Sequence, residues 1–163
     1  MKSHISIIGM PWSGKSTIAY ALAKKLGWNF IDLDKEVERV EEKNLIDVMN
    51  EKGPEYFRKM EYGFLLNLSE PTVISPAGSI IYYEPALRWL QDNSRVIFLN
   101  TPIEIIKSRM EGNPKAVSDL SDGIDALFSK RFPLYHGSAD YTVDTQGKEV
   151  QQIVDRIMTL LRM

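Results

Sequence analysis

A run of small, basic and hydroxyl-bearing residues near the N-terminus has the types and spacing needed to hold a phosphate. Residues 9–17 read Gly-Met-Pro-Trp-Ser-Gly-Lys-Ser-Thr, which fits the pattern G-x-x-x-x-G-K-[ST]. Glycines let backbone N–H groups converge on a phosphate, the lysine neutralises terminal phosphates, and the serine hydroxyl can ligate Mg²⁺. The start of the following helix adds partial positive charge. The motif therefore predicts a nucleotide-binding P-loop with Lys15 and Ser16 in these roles.

Two carboxylates, Asp32 and Asp34, lie where the second predicted strand ends. Period-two alternation would place both on one side of the strand, at the carboxyl edge of the sheet, where open α/β sheets bind ligands. Phosphoryl transfer needs a carboxylate near Mg²⁺ and a group that orients or deprotonates the attacking hydroxyl. We expect Asp32 to lie near the metal ion and Asp34 to orient or deprotonate the acceptor hydroxyl. The alternative is that Asp32 is a solvated strand end and Asp34 caps the next helix.

Two arginines far apart in the chain, Arg58 and Arg131, would suit an acceptor carboxylate if they met in one pocket, because the guanidinium fork binds carboxylates bidentately. Taken singly, Arg58 is a solvated helix charge and Arg131 a cation at a helix C-terminus. Residues 77–79, Ala-Gly-Ser, would let backbone N–H groups approach a ligand, or form an ordinary turn. Arg109 precedes an irregular segment and could stack on adenine or complement its own helix terminus.

Strand and helix patterns alternate along the chain, which predicts a parallel sheet covered by helices. The predicted strands are 3–8, 28–32, 72–75, 95–99 and 141–144. The predicted helices are 15–26, 34–42, 45–51, 54–68, 85–90, 102–110, 122–132 and 150–161. Two stretches interrupt this alternation, and we expect the acceptor site within about 33–70 and a mobile lid at about 111–121. A length of 163 residues favours a single domain spanning 1–163.

Composition narrows the classes of protein to consider. The formal net charge is −2 and no run of Lys and Arg occurs, so we expect no nucleic-acid partner. The chain has no cysteine, which excludes disulfides, thiolate metal sites and cysteine nucleophiles. No apolar stretch is long enough for a membrane span, and the first strand starts too early to leave room for a cleaved signal. We expect a cytoplasmic protein without a membrane partner.

Taken together, these positions resemble the shikimate kinase family from residue 3 to the end. The matching stretches are Gly14-Lys15-Ser16-Thr17, Phe30-Ile31-Asp32-Leu33-Asp34, Phe57-Arg58, Val73-Ile74 before Gly78, Arg109 before the lid, Lys130-Arg131 with Pro133-Leu134-Tyr135, and Thr142-Val143-Asp144-Thr145. The resemblance implies a three-layer α/β/α P-loop kinase of the adenylate-kinase-like fold, with a five-stranded parallel sheet and a lid. It implies an enzyme that uses ATP and Mg²⁺ to phosphorylate a hydroxyl of shikimate in aromatic amino-acid biosynthesis.

The resemblance also implies roles for single residues. Lys15 and Asp34 are the catalytic pair, with Asp34 contacting the shikimate hydroxyls as the candidate base. The implied substrate and metal residues are Arg58 and Arg131 on the carboxylate, Gly78 through its backbone, and Ser16 and Asp32 on Mg²⁺. Nucleotide contacts are expected from Gly9, Trp12, Ser13, Gly14, Lys15, Ser16, Thr17, Arg109 and Lys115. We expect a monomer that acts on a small-molecule acceptor.

Three departures from the family pattern bear on function. The family usually has three glycines where this chain has Ala77-Gly78-Ser79, so side chains are expected to intrude into the acceptor pocket. The family lid carries Arg-Pro-Leu-Leu, but residues 116–119 are Ala-Val-Ser-Asp, which leaves Lys115 as the lid cation. Trp12 replaces a customary glycine and must point away from the phosphates or crowd them. Two alternatives stay open: a same-fold kinase for another small hydroxy acid, and a nucleotide-binding protein with impaired catalysis.

Overall fold

Five parallel strands form one sheet in the computed structural model, which describes residues 1–163. The strands are β1 (His4–Ile8), β2 (Asn29–Asp32), β3 (Thr72–Ser75), β4 (Ser94–Asn100) and β5 (Tyr141–Asp144), in the order β2-β3-β1-β4-β5. The central strand β1 is buried along its whole length, which is why three of its five residues are isoleucine. All five carboxyl ends therefore lie along one edge of the sheet. The predicted α/β class and strand number are confirmed.

Seven helices cover the two faces of this sheet. They are α1 (Lys15–Leu26), α2 (Leu33–Glu41), α3 (Leu45–Leu66), α4 (Glu84–Asn93), α5 (Ile103–Met110), α6 (Ile124–Ser138) and α7 (Val150–Leu161). Short 3₁₀ helices occupy Gly78–Tyr82 and Leu120–Asp122. Helix α3 is broken at Gly53, whose φ of 83° and ψ of 167° are not helical, so it consists of two helices as the sequence predicts. None of the helices is both long enough and apolar enough to cross a membrane.

The core consists of two layers, one on each face of the sheet. Residues of β1 and β4 alternate between them: Ile7 and Ile97 pack with α1 and α7, whereas Ile8 and Phe98 pack with α4 and α6. Because both faces are covered, the molecule has three layers, α/β/α. The sheet edge that carries the P-loop is fixed from both sides by this packing.

Two local predictions are wrong. Helix α6 does not end near Phe132 but continues through Pro133 to Ser138, because the packing of Tyr135 against Phe98, with ring centroids 5.3 Å apart, outweighs the helix-breaking effect of proline. Arg131 therefore lies inside a helix and is not a C-terminal cation. Helix α2 begins at Leu33, so Asp34 belongs to a helix and strand alternation does not bring it beside Asp32.

Candidate active site

A cavity of about 950 Å³ opens along the carboxyl edge of the sheet. It is lined by the P-loop, the start of α2, the segment after β3, the lid and residues 145–150. The predicted site residues that line it are Trp12, Ser13, Gly14, Lys15, Ser16, Thr17, Asp32, Asp34, Gly78, Arg109, Lys115 and Arg131. Gly9 lies behind the loop, where a Cβ would approach the Leu99 carbonyl to 2.9 Å. Arg58 does not itself line the cavity, but its guanidinium group donates to Ser118, a lid residue that does.

The P-loop connects β1 to α1 and turns at Gly14. This residue caps α1 with a φ of 95°, a left-handed conformation that favours glycine. The next residue, Lys15, donates from Nζ to the Met10 carbonyl at 2.7 Å, so its ammonium group lies across the loop. Burial lowers the pKa of Lys15 to about 8, while the Asp34 carboxylate acts in the opposite direction. A phosphate placed in the loop would meet this cation and the N-terminus of α1.

Oxygen atoms from three strand and helix ends meet beside Lys15. The Ser16 hydroxyl donates to Asp32 Oδ2 at 2.7 Å, and the Ser75 hydroxyl lies 3.2 Å from that of Ser16. Asp32 also caps α2 by accepting from the Lys35 amide at 3.3 Å. Hard oxygen donors of this kind are the ligands that Mg²⁺ prefers. Ser16 and Asp32, the predicted metal ligands, are thus hydrogen-bonded to each other, and Ser75 at the end of β3 adds a third oxygen beside them.

Asp34 lies in the first turn of α2 with its Oδ1 atom buried and without a hydrogen-bond partner. Burial and the neighbouring Asp32 charge raise the pKa of Asp34 to about 6, and the Lys15 cation opposes this shift. A carboxylate with a pKa near 6 is largely ionised at neutral pH and is also a better proton acceptor than an ordinary aspartate. The residue is therefore suited to take a proton from an acceptor hydroxyl.

The two arginines predicted to bind a carboxylate do meet, beside Tyr82. The guanidinium carbons of Arg58 and Arg131 lie 5.3 Å and 5.1 Å from the Tyr82 ring centroid. Arg131 is only 1% exposed, and it donates to the Tyr82 hydroxyl at 3.3 Å and the Tyr135 hydroxyl at 3.4 Å. Both arginines also contact lid residue Ser118. We call Arg58 and Arg131 the arginine pair; it forms a cationic site at one end of the cavity.

Gly78 fits tightly between the arginine pair and the P-loop. Its carbonyl accepts from the Tyr135 hydroxyl at 2.7 Å. A Cβ at this position would lie 2.9 Å from Arg131 Nη1, 3.1 Å from Pro11 Cδ and 3.2 Å from the Gly9 carbonyl oxygen. Only a residue without a side chain allows this close approach, so the Gly78 backbone forms part of the cavity wall between Arg131 and the P-loop.

The residues on either side of Gly78 direct little side-chain surface to solvent. Ala77 is 8% exposed and belongs to a small apolar cluster with Val37, Val48 and Phe57. Ser79 is 7% exposed at the start of the 3₁₀ helix. The added methyl group of Ala77 thus extends the packing under α2 and α3. Ala77 and Ser79 both also line the cavity, so the intrusion of their side chains into the acceptor pocket stays a prediction.

Trp12 directs its indole towards the lid. Its φ is 62°, a left-handed value that is unusual for a bulky residue, and its side chain is 8% exposed within the larger core cluster. The indole Nε1 donates to the Asn113 carbonyl at 2.8 Å, and Arg109 Nη1 donates to the Trp12 carbonyl at 2.9 Å. The P-loop and the first part of the lid are therefore joined through Trp12.

Sequence reasoning missed a buried acid beneath this site. Glu61 is 1% exposed and neither carboxylate oxygen has a hydrogen-bond partner of good geometry. Burial and the Asp34 charge raise its pKa well above the ordinary range, while the Ala77 amide, Lys15 and Arg58 oppose this. Its position three residues after Arg58 on α3, which places both on one helix face, was the available signal. Tyr82, Ser75, Ser118 and residues 145–150 were missed because single residues of these types carry no motif.

The chain is similar to known proteins in both sequence and structure. A family model described as shikimate kinase matches residues 11–162. The shikimate kinase of Persephonella marina is 35% identical over 163 residues, covering 98% of this chain and 99% of the relative. The structure of shikimate kinase from Acinetobacter baumannii in complex with shikimate has a TM-score of 0.88 at 27% identity, covering 99% of this chain and 94% of that one. The Aquifex aeolicus shikimate kinase structure gives 0.82 at 32% identity, covering 98% and 96%.

Proposed function

Because this chain belongs to the shikimate kinase family, we propose that it transfers the γ-phosphoryl group of ATP to a hydroxyl group of shikimate. The observation that supports shikimate as the substrate is the meeting of Arg58 and Arg131 at Tyr82, with Arg131 next to Gly78 in the cavity wall. A guanidinium pair selects a carboxylate, and an acceptor held there would extend towards Asp34 and the P-loop. The cavity thus has room for an acid acceptor at one end and a nucleotide at the other.

Lys15 and the N-terminus of α1 neutralise the terminal phosphates of ATP in this proposal. Two further cations add positive charge along the nucleotide. Arg109 donates to the Trp12 carbonyl, and Lys115 is exposed in the lid. The adenine base of ATP lies towards residues 145–150 in this proposal, where the cavity is also lined by residues of α5 and α7. Gly9, Ser13, Gly14 and Thr17 shape the loop around the phosphates.

Asp34 accepts the proton of the attacking hydroxyl. With its pKa raised to about 6, it is ionised at neutral pH and close in pKa to the pH at which it works. Ser16 and Asp32, with Ser75, are the residues that would hold Mg²⁺. When bound, Mg²⁺ neutralises charge on the transferring phosphoryl group. The arginine pair contributes by orientation, because a fixed carboxylate holds the hydroxyl in line for attack.

We further propose that residues 1–163 act as one monomeric kinase domain. In it, α2 and α3, within residues 33–70, carry Asp34 and Arg58 for the acceptor, and residues 111–121 form the lid. The lid contacts the P-loop through Asn113 and the arginine pair through Ser118. Its movement would therefore report on both substrates.

The test is ADP release with ATP, Mg²⁺ and shikimate, against a blank without acceptor and a panel of related hydroxy acids. Arg58→Ala should raise the KM for shikimate far more than the KM for ATP, whereas Lys59→Ala, an exposed neighbour on α3, should change neither. Lys15→Ala should abolish turnover. Release with another acid alone would favour a same-fold kinase for that acid. ATP binding without release on any acid would favour the non-catalytic alternative.

A further inference from the structure

Three cations from two helices approach the aromatic ring of Tyr82. The guanidinium carbons of Arg58 on α3 and Arg131 on α6 lie 5.3 Å and 5.1 Å from the ring centroid. Lys130, the neighbour of Arg131 on α6, brings its Nζ atom to 5.1 Å from the same centroid. All three distances are within the range of about 6 Å in which the π-system of a ring attracts a cation. The Tyr82 ring is therefore a common partner of both members of the arginine pair.

The backbone that carries this ring is packed into the core. Tyr82 is the last residue of the 3₁₀ helix Gly78–Tyr82. The two residues before it, Ile80 and Ile81, are buried in the larger core cluster, and the Tyr83 amide closes the turn by donating to the Ile80 carbonyl at 3.2 Å. The position of the ring is thus set by core packing, independently of either arginine.

The arginine pair benefits from such a partner because its two positive charges repel each other. Both guanidinium groups donate to the same Ser118 hydroxyl oxygen, each at 3.3 Å, so they lie close together. Arg131 is buried and Arg58 is half-buried, so water screens the repulsion only in part. A ring that attracts both cations offsets part of this repulsion.

The two arginines depend on different parts of the Tyr82 side chain. The Nε atom of Arg58 is buried and has no hydrogen-bond partner, and the neighbouring Glu61 carboxylate oxygens make no hydrogen bond to this side chain either. Its polar support is the long bond from Nη2 to Ser118, so the ring is a major contact. Arg131, in contrast, donates from Nε to the Tyr82 hydroxyl at 3.3 Å and has further hydroxyl and carbonyl partners.

We propose that Tyr82 is a positioning residue of the acceptor site, whose ring holds Arg58 and whose hydroxyl orients Arg131, so that both arginines are directed to one carboxylate. The identity of the acceptor in this proposal rests on the proposed function. Tyr82 is not among the residues that line the cavity, so its effect on the acceptor passes through the arginines.

Two substitutions separate the ring from the hydroxyl. Tyr82→Leu removes both and should raise the KM for shikimate about five- to thirtyfold, the range for a cation–π contact that is partly to fully desolvated. Tyr82→Phe keeps the ring and loses one long hydrogen bond, so the KM should rise only about two- to threefold. The kcat and the KM for ATP should change little, because the arginine pair holds the acceptor equally before and during transfer.

Tyr83→Leu is the matched control. It makes the same change at the next residue, whose ring packs edge-on against Tyr62, with centroids 5.9 Å apart, rather than against a cation. Thermal unfolding of both leucine variants reports the loss of packing that they share, whereas the KM for shikimate should rise only in Tyr82→Leu. An equal rise in Tyr83→Leu would overturn the proposal, because the effect would then be one of general packing.

A double substitution tests whether the effect passes through Arg58. In an Arg58→Ala background the ring has lost its more dependent partner, so Tyr82→Leu should raise the KM for shikimate much less than it does in wild type. The same fold-change in both backgrounds would contradict a positioning role for the ring.

A second readout needs no acceptor. The rates at which the Nε–H protons of Arg58 and Arg131 exchange with solvent can be measured by ¹H–¹⁵N NMR in the ligand-free protein, with Arg58→Lys and Arg131→Lys to assign the signals. Tyr82→Leu should speed exchange at Arg58 about five- to thirtyfold, as the ring no longer holds it. Tyr82→Phe should speed exchange at Arg131 and leave Arg58 unchanged, and Tyr83→Leu should change neither.

The two proposals fail separately. If wild type binds ATP without shikimate-dependent ADP release, the proposed function is wrong, and the exchange rates still decide whether Tyr82 holds the arginine pair. If shikimate is phosphorylated and Tyr82→Leu matches wild type in exchange rates, only the role of Tyr82 is wrong. Faster exchange with an unchanged KM for shikimate would also overturn that role, because the placement of the arginines would not matter to the acceptor.

Discussion

Gly78→Ala tests whether the acceptor end of the cavity is built as tightly as its distances indicate. The new Cβ would stand 2.9 Å from Arg131 Nη1, at least about 0.6 Å inside the 3.5–4.0 Å at which non-bonded heavy atoms pack best. Arg131 cannot swing clear, because it is 1% exposed and bonded to Tyr82 and Tyr135. The new Cβ cannot move away from Arg131 either, because Pro11 Cδ lies 3.1 Å from it and the Gly9 carbonyl oxygen 3.2 Å.

The expected rise in the KM for shikimate follows from the cost of inserting a methyl group into a packed site, which is about 1–3 kcal/mol. Because Arg131 can relieve the contact only by giving up its hydrogen bonds to Tyr82 and Tyr135, most of this cost should appear in acceptor binding. At tenfold per 1.4 kcal/mol, the KM for shikimate should rise about five- to hundredfold. The KM for ATP should change less, because the new Cβ meets the P-loop at Pro11 Cδ and at the Gly9 carbonyl, and neither is a donor to a phosphate.

The assay is coupled ADP release with shikimate and ATP varied in turn, together with thermal unfolding to verify that the variant is folded. Gly137→Ala is the matched control: it lies on α6, the helix that carries Arg131, and its Cβ would meet no atom within 4 Å. It should be neutral or slightly stabilising, since alanine favours helix over glycine. A folded Gly78→Ala enzyme with the wild-type KM for shikimate would refute the assignment of this glycine and of Arg131 to the acceptor site.

Three further predictions concern the same site. The pH profile of kcat/KM should rise through about 6 as Asp34 ionises and fall through about 8 as Lys15 loses its proton, and a flat profile from pH 5 to 9 would contradict both assignments. Trp12→Phe removes the 2.8 Å hydrogen bond from the indole to the Asn113 carbonyl, so the free energy of unfolding in urea should fall by about 1 kcal/mol and trypsin should cleave the lid faster. Unchanged cleavage would mean that the indole does not hold the lid. Glu61→Gln should raise the Tm more at pH 8 than at pH 5. The reason is that the folded pKa of Glu61 lies above the unfolded one, so wild type loses stability as pH rises between them, and an equal gain at both pH values would count against a buried charge.

The sequence predicted the parts of this molecule that depend on local pattern. The P-loop, the buried strand before it and the break at Gly53 each follow from residue types within a few positions. Helix α6 was cut short because Pro133 is a local breaker, whereas its continuation depends on Tyr135 packing against Phe98 on a distant strand. Contacts of that kind have no trace in a single sequence.

The same distinction holds within the site. Arg58 and Arg131 could be nominated from their types, but their meeting across Tyr82 is a tertiary fact. Asp34 was nominated from a strand geometry that is wrong, since it belongs to a helix rather than to the strand end, and its role in proton transfer stays a prediction. Ser118 gave no signal, because its role depends on where the lid lies and serine occurs in every loop.

The burial of unpaired charge bears on whether this fold still serves catalysis. Asp34 and Glu61 both keep carboxylate oxygens buried without hydrogen-bond partners, and burial raises the pKa of each. Such groups lower stability, because a desolvated carboxylate without a partner is costly to ionise. Binding ATP requires neither of them, since the phosphates are served by the loop, Lys15 and the start of α1. A buried acid poised near neutral pH beside a buried cation is instead what proton transfer requires. The lid of this chain lacks the family arginine, but that loss bears on the rate of transfer, whereas in the proposed mechanism Asp34 and the arginine pair bind and activate the acid acceptor.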